Sequence, residues 1–292
     1  MIRQTAASFR AAHATISRMS IFLGIDVGGS GIKGAPVDLE QGEFAADRLR
    51  IPTPAKSTPK AVAEVVGEII DQFAGVIGDT PVGLTIPAPV LHGRVPFMAN
   101  LDQKWNGFKA DEYFEDKLGR KVVLVNDADA AGLAEVHFGA AKDHPGLVIL
   151  TTLGTGIGAA IIYRGVLIPN AELGHLELDG YDAEKRAASS IKDKEGLSYE
   201  EWATQRLQPY YSHVEMLFSP DLFVTGGGVS KDWDKWGHLL NLKTPMVPAK
   251  LRNRAGIIGA ALAAKDAVEH PDVLSMIPAV ADADPADVAD TE

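Results

Sequence analysis

The sequence predicts an α/β protein with two lobes, each built around a mixed sheet. Hairpins of short apolar strands alternate with strand-to-helix units along the chain, which is the pattern of an α/β architecture. The second half repeats the order of the first, because it begins again with a hairpin around a glycine-rich turn at 146–163. Two similar lobes leave a cleft between them, and such clefts are common substrate sites.

Three short apolar stretches open the first lobe. Residues 21–26, 31–37 and 45–51 are separated by glycine or polar turns, which predicts a three-stranded meander. Pro59 then begins a helix, since proline suits the first turn and apolar residues follow at helical spacing. Residues 82–86 form the next predicted strand.

The second half of the pattern starts with a strand that leads directly into a helix. The apolar run 121–125 passes through Asn126 and Asp127 into a helical pattern that Gly139 ends. The elements predicted after it are a hairpin of strands 146–152 and 157–163, a long helical region at 198–218, a buried strand at 222–225 and a closing helix at 255–267.

Composition excludes several classes of protein. Cysteine is absent, which excludes disulfides, thiolate metal sites and a cysteine nucleophile, and which fits a cytoplasmic location. The formal net charge of −11 argues against nucleic acid as a partner. No apolar run approaches the roughly 20 residues that span a bilayer, so we expect no membrane partner.

Both ends of the chain are expected to be disordered. Residues 1–20 carry three arginines and no acidic residue, but they lack the apolar core of a secretory signal. Residues 266–292 hold eight acidic residues and neither lysine nor arginine, so the remainder of the chain is near neutral. The stretch 270–292 is therefore predicted to be an acidic disordered tail.

A glycine-rich turn between the first two strands is the first candidate site. Gly28 and Gly29 would let phosphate oxygens approach the backbone amides. Asp26 could hold Mg²⁺ through water, while Ser30 and Lys33 supply a hydroxyl and a positive charge. The alternative is a plain hairpin in which Asp26 bonds to its own turn. The spacing fits neither a P-loop nor a Rossmann fingerprint.

Two further glycine-rich segments are candidates for binding the phosphates or the base of a nucleotide. They are Thr152, Gly154, Thr155 and Gly156 in the repeated hairpin, and Gly226, Gly227 and Gly228 after the strand at 222–225. One hydroxyl-and-glycine hairpin in each lobe is hard to explain structurally, whereas the third segment could equally be a flexible strand-to-helix loop.

Polar side chains that could bind and activate a hydroxyl group lie in two places. Asp127 could accept a proton from a hydroxyl attacking phosphorus, although it would also suit the N-cap of its helix. Glu172 and His175 lie within one short segment, and such groups bind vicinal sugar hydroxyls. Zinc is the competing interpretation, which the absence of cysteine and of a nearby second histidine disfavours.

Taken together, these motifs resemble the ROK family of sugar kinases and repressors. The resemblance spans roughly residues 21–268, and the residues that carry it are 24–30, Asn126-Asp127 with Glu135 and Gly139, 154–158 and 172–175. The segments 167–177, 189–192 and 222–230 are similar to the branch of this family that phosphorylates glucose, and in some members mannose, with inorganic polyphosphate or ATP.

The resemblance implies a two-domain actin-like ATPase fold, which is ribonuclease H-like, with a central cleft. It implies a small lobe at 21–137, joined by the closing helix 255–268, and a larger lobe at 138–254. It also implies that Asp127 is the general base for the sugar 6-hydroxyl. The implied sugar ligands are Asn100, Asn126, Glu172, His175 and Glu184.

The same resemblance implies Mg²⁺ as cofactor and polyphosphate or ATP as phosphoryl donor. Most members carry a zinc-binding cysteine cluster after the histidine motif; this chain has none, so we expect no zinc. The partners are then a small sugar and the donor, and a homodimer stays open. A catalytically silent sugar-binding regulator and an N-acylhexosamine kinase on the same fold are the alternatives.

A polyphosphate donor would need a path lined by basic residues, despite the acidic total charge. The candidates are Lys33, Lys192, Lys194, Lys231, Lys250, Arg252 and Arg254. Most of them could equally be ordinary surface residues.

Overall fold

The computed structural model describes residues 20–270, and a six-stranded sheet forms the centre of its first half. β1 (Ile21–Gly28) and β2 (Gly31–Asp38) pair antiparallel, and β1 pairs parallel with a strand at Val82–Ile86. The other strands of this sheet are β3 (Glu43–Phe44), β4 (Leu49–Ile51), β5 (Val82–Ile86) and β8 (Val122–Asn126). The strand order is β3-β2-β1-β5-β8, with β4 also paired to β2.

The expected meander is confirmed for its first two strands, but its third strand is divided. β3 and β4 pair separately with β2. Asp47 and Arg48 lie between them outside any strand. The strand expected at 45–51 is therefore confirmed only for its last three residues, Leu49–Ile51, since 45–48 lie outside any strand.

Two helices and a small hairpin complete the first half. α1 (Pro59–Ile77) begins where Thr58 Oγ1 accepts the backbone N–H of Ala61 at 3.3 Å. Its apolar face packs on the sheet in one core, with Val66, Ile69 and Phe73 buried. The hairpin of β6 (Arg94–Val95) and β7 (Phe108–Lys109) precedes α2 (Ala110–Leu118).

The second half contains a five-stranded sheet that repeats the arrangement of the first. Its strands are β9 (Leu147–Leu153), β10 (Ile157–Tyr163), β11 (Val166–Ile168), β14 (Leu222–Gly226) and β15 (Met246–Pro248). The order is β11-β10-β9-β14-β15, antiparallel in the hairpins and parallel from β9 to β15. The repeated order expected from the sequence is confirmed.

Short helices cover one face of this second sheet. They are α4 (Glu184–Ala187), α5 (Ser189–Glu195), α6 (Tyr199–Trp202) and α7 (Gln208–Phe218), and α4 follows the two-stranded β12 (Glu177–Leu178) and β13 (Tyr181–Asp182). The helical region expected at 198–218 is present, but a π-helical segment at Ala203–Leu207 interrupts it. Trp202 and Tyr210, on either side of this segment, are both fully buried.

Two helices connect the sheets. α3 (Asp127–Phe138) packs against β10 of the second sheet and against α8 (Ala255–Glu269), which lies on β1 and β5 of the first. A Cβ atom at Gly24 or Gly83 would come within 1.8 Å of a carbonyl oxygen of α8, so glycine alone permits this approach.

Both predicted disordered ends, at 1–20 and 270–292, lie almost entirely outside the described residues. Within 20–270, no helix is both long and apolar enough to cross a membrane.

Candidate active site

A cavity of about 480 Å³ lies between the two sheets and is lined from both of them. It brings together most of the residues that the sequence singled out. They are Gly28, Gly29, Asn100, Asn126, Asp127, Thr152, Gly154, Thr155, Gly156, Glu172, His175, Glu184 and Gly227. The remaining candidates, Asp26, Ser30, Lys33, Gly226 and Gly228, are not in the lining.

Asn126 and Asp127 lie where β8 ends and α3 begins. The N-cap is Asn126, whose Oδ1 accepts the backbone N–H groups of Ala128 at 2.8 Å and Asp129 at 3.2 Å. Asp127 is the first residue of the helix, so the interpretation of Asp127 as the cap is wrong. Its neighbour satisfies the helix end, and the Asp127 carboxylate is free to face the cavity.

Burial in the cavity wall raises the pKa of Asp127 to about 6, from the ordinary 3.8. The side chain is open to the cavity, but the cavity wall beside it limits the water that can solvate the charge. The negative charge of Asp26 raises the pKa further, and that of Glu172 adds to it. Asp127 is therefore a carboxylate whose proton affinity is matched to neutral pH.

Glu172, His175 and Glu184 approach the cavity from the second half of the chain. His175 Nε2 lies 4.0 Å from Glu172 Oε2, and burial raises the pKa of Glu172. Glu184 Oε2 accepts the backbone N–H of Ile157 at 3.0 Å. Glu184 thus holds the glycine turn with one oxygen and leaves the other for a ligand.

The turn between β1 and β2 is held by side chains behind it. Asp26 accepts hydrogen bonds from Thr85 Oγ1 at 3.0 Å and from Lys33 Nζ at 3.2 Å. Arg50 donates to the carbonyl oxygen of Ser30 at 2.9 Å. Lys33 and Asp26 thus form an ion pair beside the turn, while Gly28 and Gly29 line the cavity.

Two serines hold the second glycine turn. Ser189 Oγ donates to the carbonyl oxygen of Gly154 at 3.1 Å, and Ser190 Oγ donates to that of Thr155 at 2.8 Å. The backbone N–H of Ser190 also donates to the carbonyl oxygen of Gly154 at 3.1 Å. Because the two serines hold these carbonyl groups through hydrogen bonds, the turn has its shape before any anion binds.

Gly227 is the part of the third glycine segment that reaches the cavity. Its φ of 83° is in the left-handed region. A Cβ atom there would lie 2.2 Å from the carbonyl oxygen of Leu153. Any other residue would push this segment away from the second glycine turn.

Sequence reasoning missed one wall of the cavity. Pro87, Ala88 and Pro89 follow β5 and line it, together with Phe97 and Ala99. The position of 87–89 at the carboxyl end of a parallel strand is a signal that could have found them. Asn170, from the second half, holds this wall through two hydrogen bonds with the backbone of Val90.

Asp26 is the group best suited to Mg²⁺. Among residues 20–270, no set of three or more His, Asp or Glu side chains is arranged to hold a metal ion. Mg²⁺ commonly keeps several waters and needs only one or two carboxylates beside the phosphates of a substrate. The Asp26 carboxylate is 22% exposed and close enough to raise the pKa of Asp127, so its oxygen chemistry and position fit. The expectation of no zinc stays a prediction.

Two similar mixed sheets, each contributing a glycine hairpin to one shared cavity, define a protein of the actin-like ATPase fold. The chain belongs to the ROK family, whose model matches residues 22–196.

Known relatives agree with this assignment. Polyphosphate glucokinase of Mycobacterium tuberculosis is 50% identical over 248 residues, covering 85% of this chain and 92% of the relative. Polyphosphate glucokinase of Mycobacterium leprae is 48% identical over 248 residues, covering 85% and 75%. The crystal structure of inorganic polyphosphate/ATP-glucomannokinase from Arthrobacter sp. strain KM superposes with a TM-score of 0.80 at 48% identity, covering 86% of this chain and all of that one.

Proposed function

We propose that this protein transfers the terminal phosphoryl group of inorganic polyphosphate or ATP to the 6-hydroxyl of glucose, and also of mannose. The observation that carries the proposal is that one cavity brings a carboxylate of raised pKa together with sugar-type ligands and both glycine turns. The relatives at about 50% identity, which are polyphosphate glucokinases, support the same reaction and donor.

The sugar binds at the end of the cavity formed by Glu172, His175 and Glu184. Carboxylates and an imidazole can each bind vicinal hydroxyl groups, and all three residues line the cavity. The Asn126 side-chain oxygen caps α3, so its amide N–H groups are the part left to bind a hydroxyl. Asn100 adds a second amide from the first half of the chain.

Asp127 acts as the general base. Its carboxylate accepts the proton of the sugar 6-hydroxyl as that oxygen forms a bond to the terminal phosphorus atom. The bond from this phosphorus to the bridging oxygen breaks, and the bridging oxygen leaves with the shortened polyphosphate or with ADP. The raised pKa of Asp127 makes the proton transfer favourable without leaving the group protonated at neutral pH.

The two glycine turns hold the phosphates of the donor. Gly28 and Gly29 line the cavity from the first sheet, and Gly154 to Gly156 line it from the second. The Gly154 N–H donates to the carbonyl oxygen of Gly156 at 3.0 Å, so the N–H groups of Thr155 and Gly156 are the ones that this turn offers to phosphate. Asp26 would hold Mg²⁺ through water. When bound, Mg²⁺ supplies positive charge that neutralises the phosphate oxygens.

We also propose that the two halves act as lobes, 21–137 with 255–268 and 138–254, that close on the sugar and exclude water. The cavity between the sheets and the helices α3 and α8 that connect them support this division. A cytoplasmic location fits the absence of cysteine. A homodimer could cover the exposed apolar residues of the edge strand β11, Val166 and Ile168.

The test is formation of glucose 6-phosphate by the purified protein with Mg²⁺, supplied separately with polyphosphate and with ATP. Turnover with both donors is expected, and turnover of mannose in the same assay. Activity with ATP alone would limit the function to an ordinary glucokinase. No product with either donor would contradict the proposal and favour a silent regulator or another sugar.

A further inference from the structure

A second cavity, of about 790 Å³, lies beside the candidate active site. It opens at the carboxyl ends of β14 and β15, and two segments form most of its lining, 230–234 and 247–254. Ligands of open α/β sheets commonly bind at the carboxyl ends of the strands. The cavity therefore has the position of a ligand site, and the function described above leaves it unused.

The second cavity is lined by four cationic side chains together with apolar ones, among them Trp233 and Leu251. It contains Lys231, Lys250, Arg252 and Arg254, against the single carboxylate of Asp234. Within residues 20–270, Lys231, Lys250 and Arg252 form no ion pair, and Arg254 approaches Glu43 at 3.7 Å. Three cations without an ion pair among the described residues, on a chain of net charge −11, create a local field that attracts anions.

The other basic candidates from the sequence do not contribute to this cluster. Lys33 pairs with Asp26 at 3.2 Å, and Lys192 pairs with Asp193 at 2.9 Å. Neither residue, nor Lys194, lines the cavity. The structure thus selects four of the seven candidates and brings them to one place.

A single turn of chain separates the two cavities. Gly227 lines the active-site cavity and Ser230 lines the second one. Ser230 donates to the carbonyl oxygen of Gly227 from both its backbone N–H, at 3.2 Å, and its Oγ, at 2.8 Å. On the opposite side, the segment 252–254 leads into α8, where a Cβ atom at Gly256 would lie 3.3 Å from Asp26. The second cavity therefore adjoins the phosphate end of the active site.

The cationic segment is held in place before any ligand binds. The Glu135 carboxylate accepts the backbone N–H groups of Lys250 at 3.1 Å and of Leu251 at 2.7 Å. Arg252 has a φ of 51°, a left-handed conformation that costs about 1 kcal/mol or more for a residue other than glycine. Such strain persists where the surrounding structure enforces it, and it commonly marks a ligand site.

We propose that this second cavity binds the distal phosphates of a linear polyphosphate while its terminal phosphoryl group lies in the active-site cavity. The inference rests on the proposed function and assigns it a second subsite. Polyphosphate carries negative charge along its whole length, so it can use cations well beyond the reacting group. ATP ends in a nucleoside instead, and its uncharged end gains nothing from four cations.

The experiment compares KM for long-chain polyphosphate with KM for ATP at saturating glucose and fixed ionic strength. The variants are Lys231→Gln and Arg252→Gln, singly and together, and each keeps a long polar side chain. Lys117→Gln is the matched control, because it removes the same charge from an exposed position on α2 outside both cavities. Melting temperatures verify that every variant is folded.

The expected result is a rise of about fivefold in the ratio of KM for polyphosphate to KM for ATP in each single variant, and a larger rise in the double variant. The ratio in Lys117→Gln should equal that of the unsubstituted protein. An unchanged ratio in the double variant would overturn the inference. An equal rise in both KM values would also overturn it, because the nucleotide of ATP would then bind in this second cavity. Failure of the proposed function would be distinguishable from this result, because the unsubstituted protein would then show no activity with polyphosphate.

Discussion

The backbone N–H of Asn170 donates to the buried carboxylate of Asp129 at 2.7 Å. The side-chain amide of Asn170 meanwhile accepts from the N–H of Val90 at 2.8 Å and donates to its carbonyl oxygen at 3.0 Å. Asn170 thereby links α3, two residues beyond Asp127, to the chain that forms the 87–89 wall of the active-site cavity.

We expect Asn170→Gly to raise KM for glucose more than KM for either donor. Its φ of 61° is left-handed, so glycine keeps the backbone conformation while removing both side-chain hydrogen bonds. Each lost bond should lower the free energy of unfolding by about 1 kcal/mol. Asn170→Ala should be less stable again, because alanine disfavours this conformation. Equal KM values for glucose in the glycine variant and the parent would show that the wall does not depend on Asn170.

Asp127→Asn should lower kcat by about 10²–10⁴-fold, because an amide cannot accept the proton of the 6-hydroxyl. Glucose binding, measured by calorimetry, should change far less than turnover. Asp116→Asn, at an exposed position on α2, is the control and should leave kcat unchanged. Turnover within a few-fold of the parent would exclude Asp127 as the base.

The pKa of Asp127 should also determine how kcat/KM for glucose depends on pH. Because Asp127 acts as a base only when ionised, kcat/KM for glucose should fall as the pH drops below the Asp127 pKa of about 6. An ordinary carboxylate, with a pKa of 3.8, would place this loss of activity about two pH units lower.

Asp129 should make the folded protein less stable as the pH rises. Burial raises its pKa from 3.8 to about 7, and its Oδ1 has no hydrogen-bond partner among residues 20–270. The folded protein therefore binds this proton more tightly than the unfolded chain, so the free energy of unfolding falls between about pH 4 and pH 7.

Melting temperatures across this pH range test the effect. The slope should be smaller in Asp129→Asn, whose amide does not titrate, but not absent, because Asp127 contributes in the same direction. An identical slope in the variant and the parent would contradict the role of Asp129.

Ser190→Ala should raise KM for both phosphoryl donors about five- to tenfold while changing KM for glucose less. The hydroxyl that it removes fixes the carbonyl oxygen of Thr155 in the second glycine turn, and such a bond contributes about 1 kcal/mol. Ser212→Ala is the matched control, since its hydroxyl accepts from Gln208 on the surface. A larger effect on glucose than on the donors would place the sugar at this turn.

The repeated order of strands could be predicted because glycine turns and apolar stretches mark each hairpin locally. The choice of helix cap at Asn126 and Asp127 could not, since both residue types cap well and only their three-dimensional positions decide. The π-helical segment at 203–207 was equally hidden, because it lies between aromatic residues buried in the core and has no local signal.

The site was predictable where its residues belong to short motifs and was missed where it depends on distant contacts. Glycine turns and the segment around His175 can be read directly from the chain. The pairing of Asn170 with Val90 joins positions 80 residues apart, and that distance in sequence leaves no trace in either segment. The roles of Ser189 and Ser190 behind a glycine turn 35 residues earlier were hidden for the same reason.

The position of α8 has a consequence for synthesis on the ribosome. The face of the first sheet that bears Phe22 and Val37 is covered by Ile257 and Ile258, which are translated after the entire second sheet. Until these residues are made, this face can be covered only where α3 residues such as Ala134 pack on it, so the nascent chain keeps apolar surface exposed while most of its length is translated, and exposed apolar surface is what chaperones bind. The amino-terminal half, although translated first, is completed last.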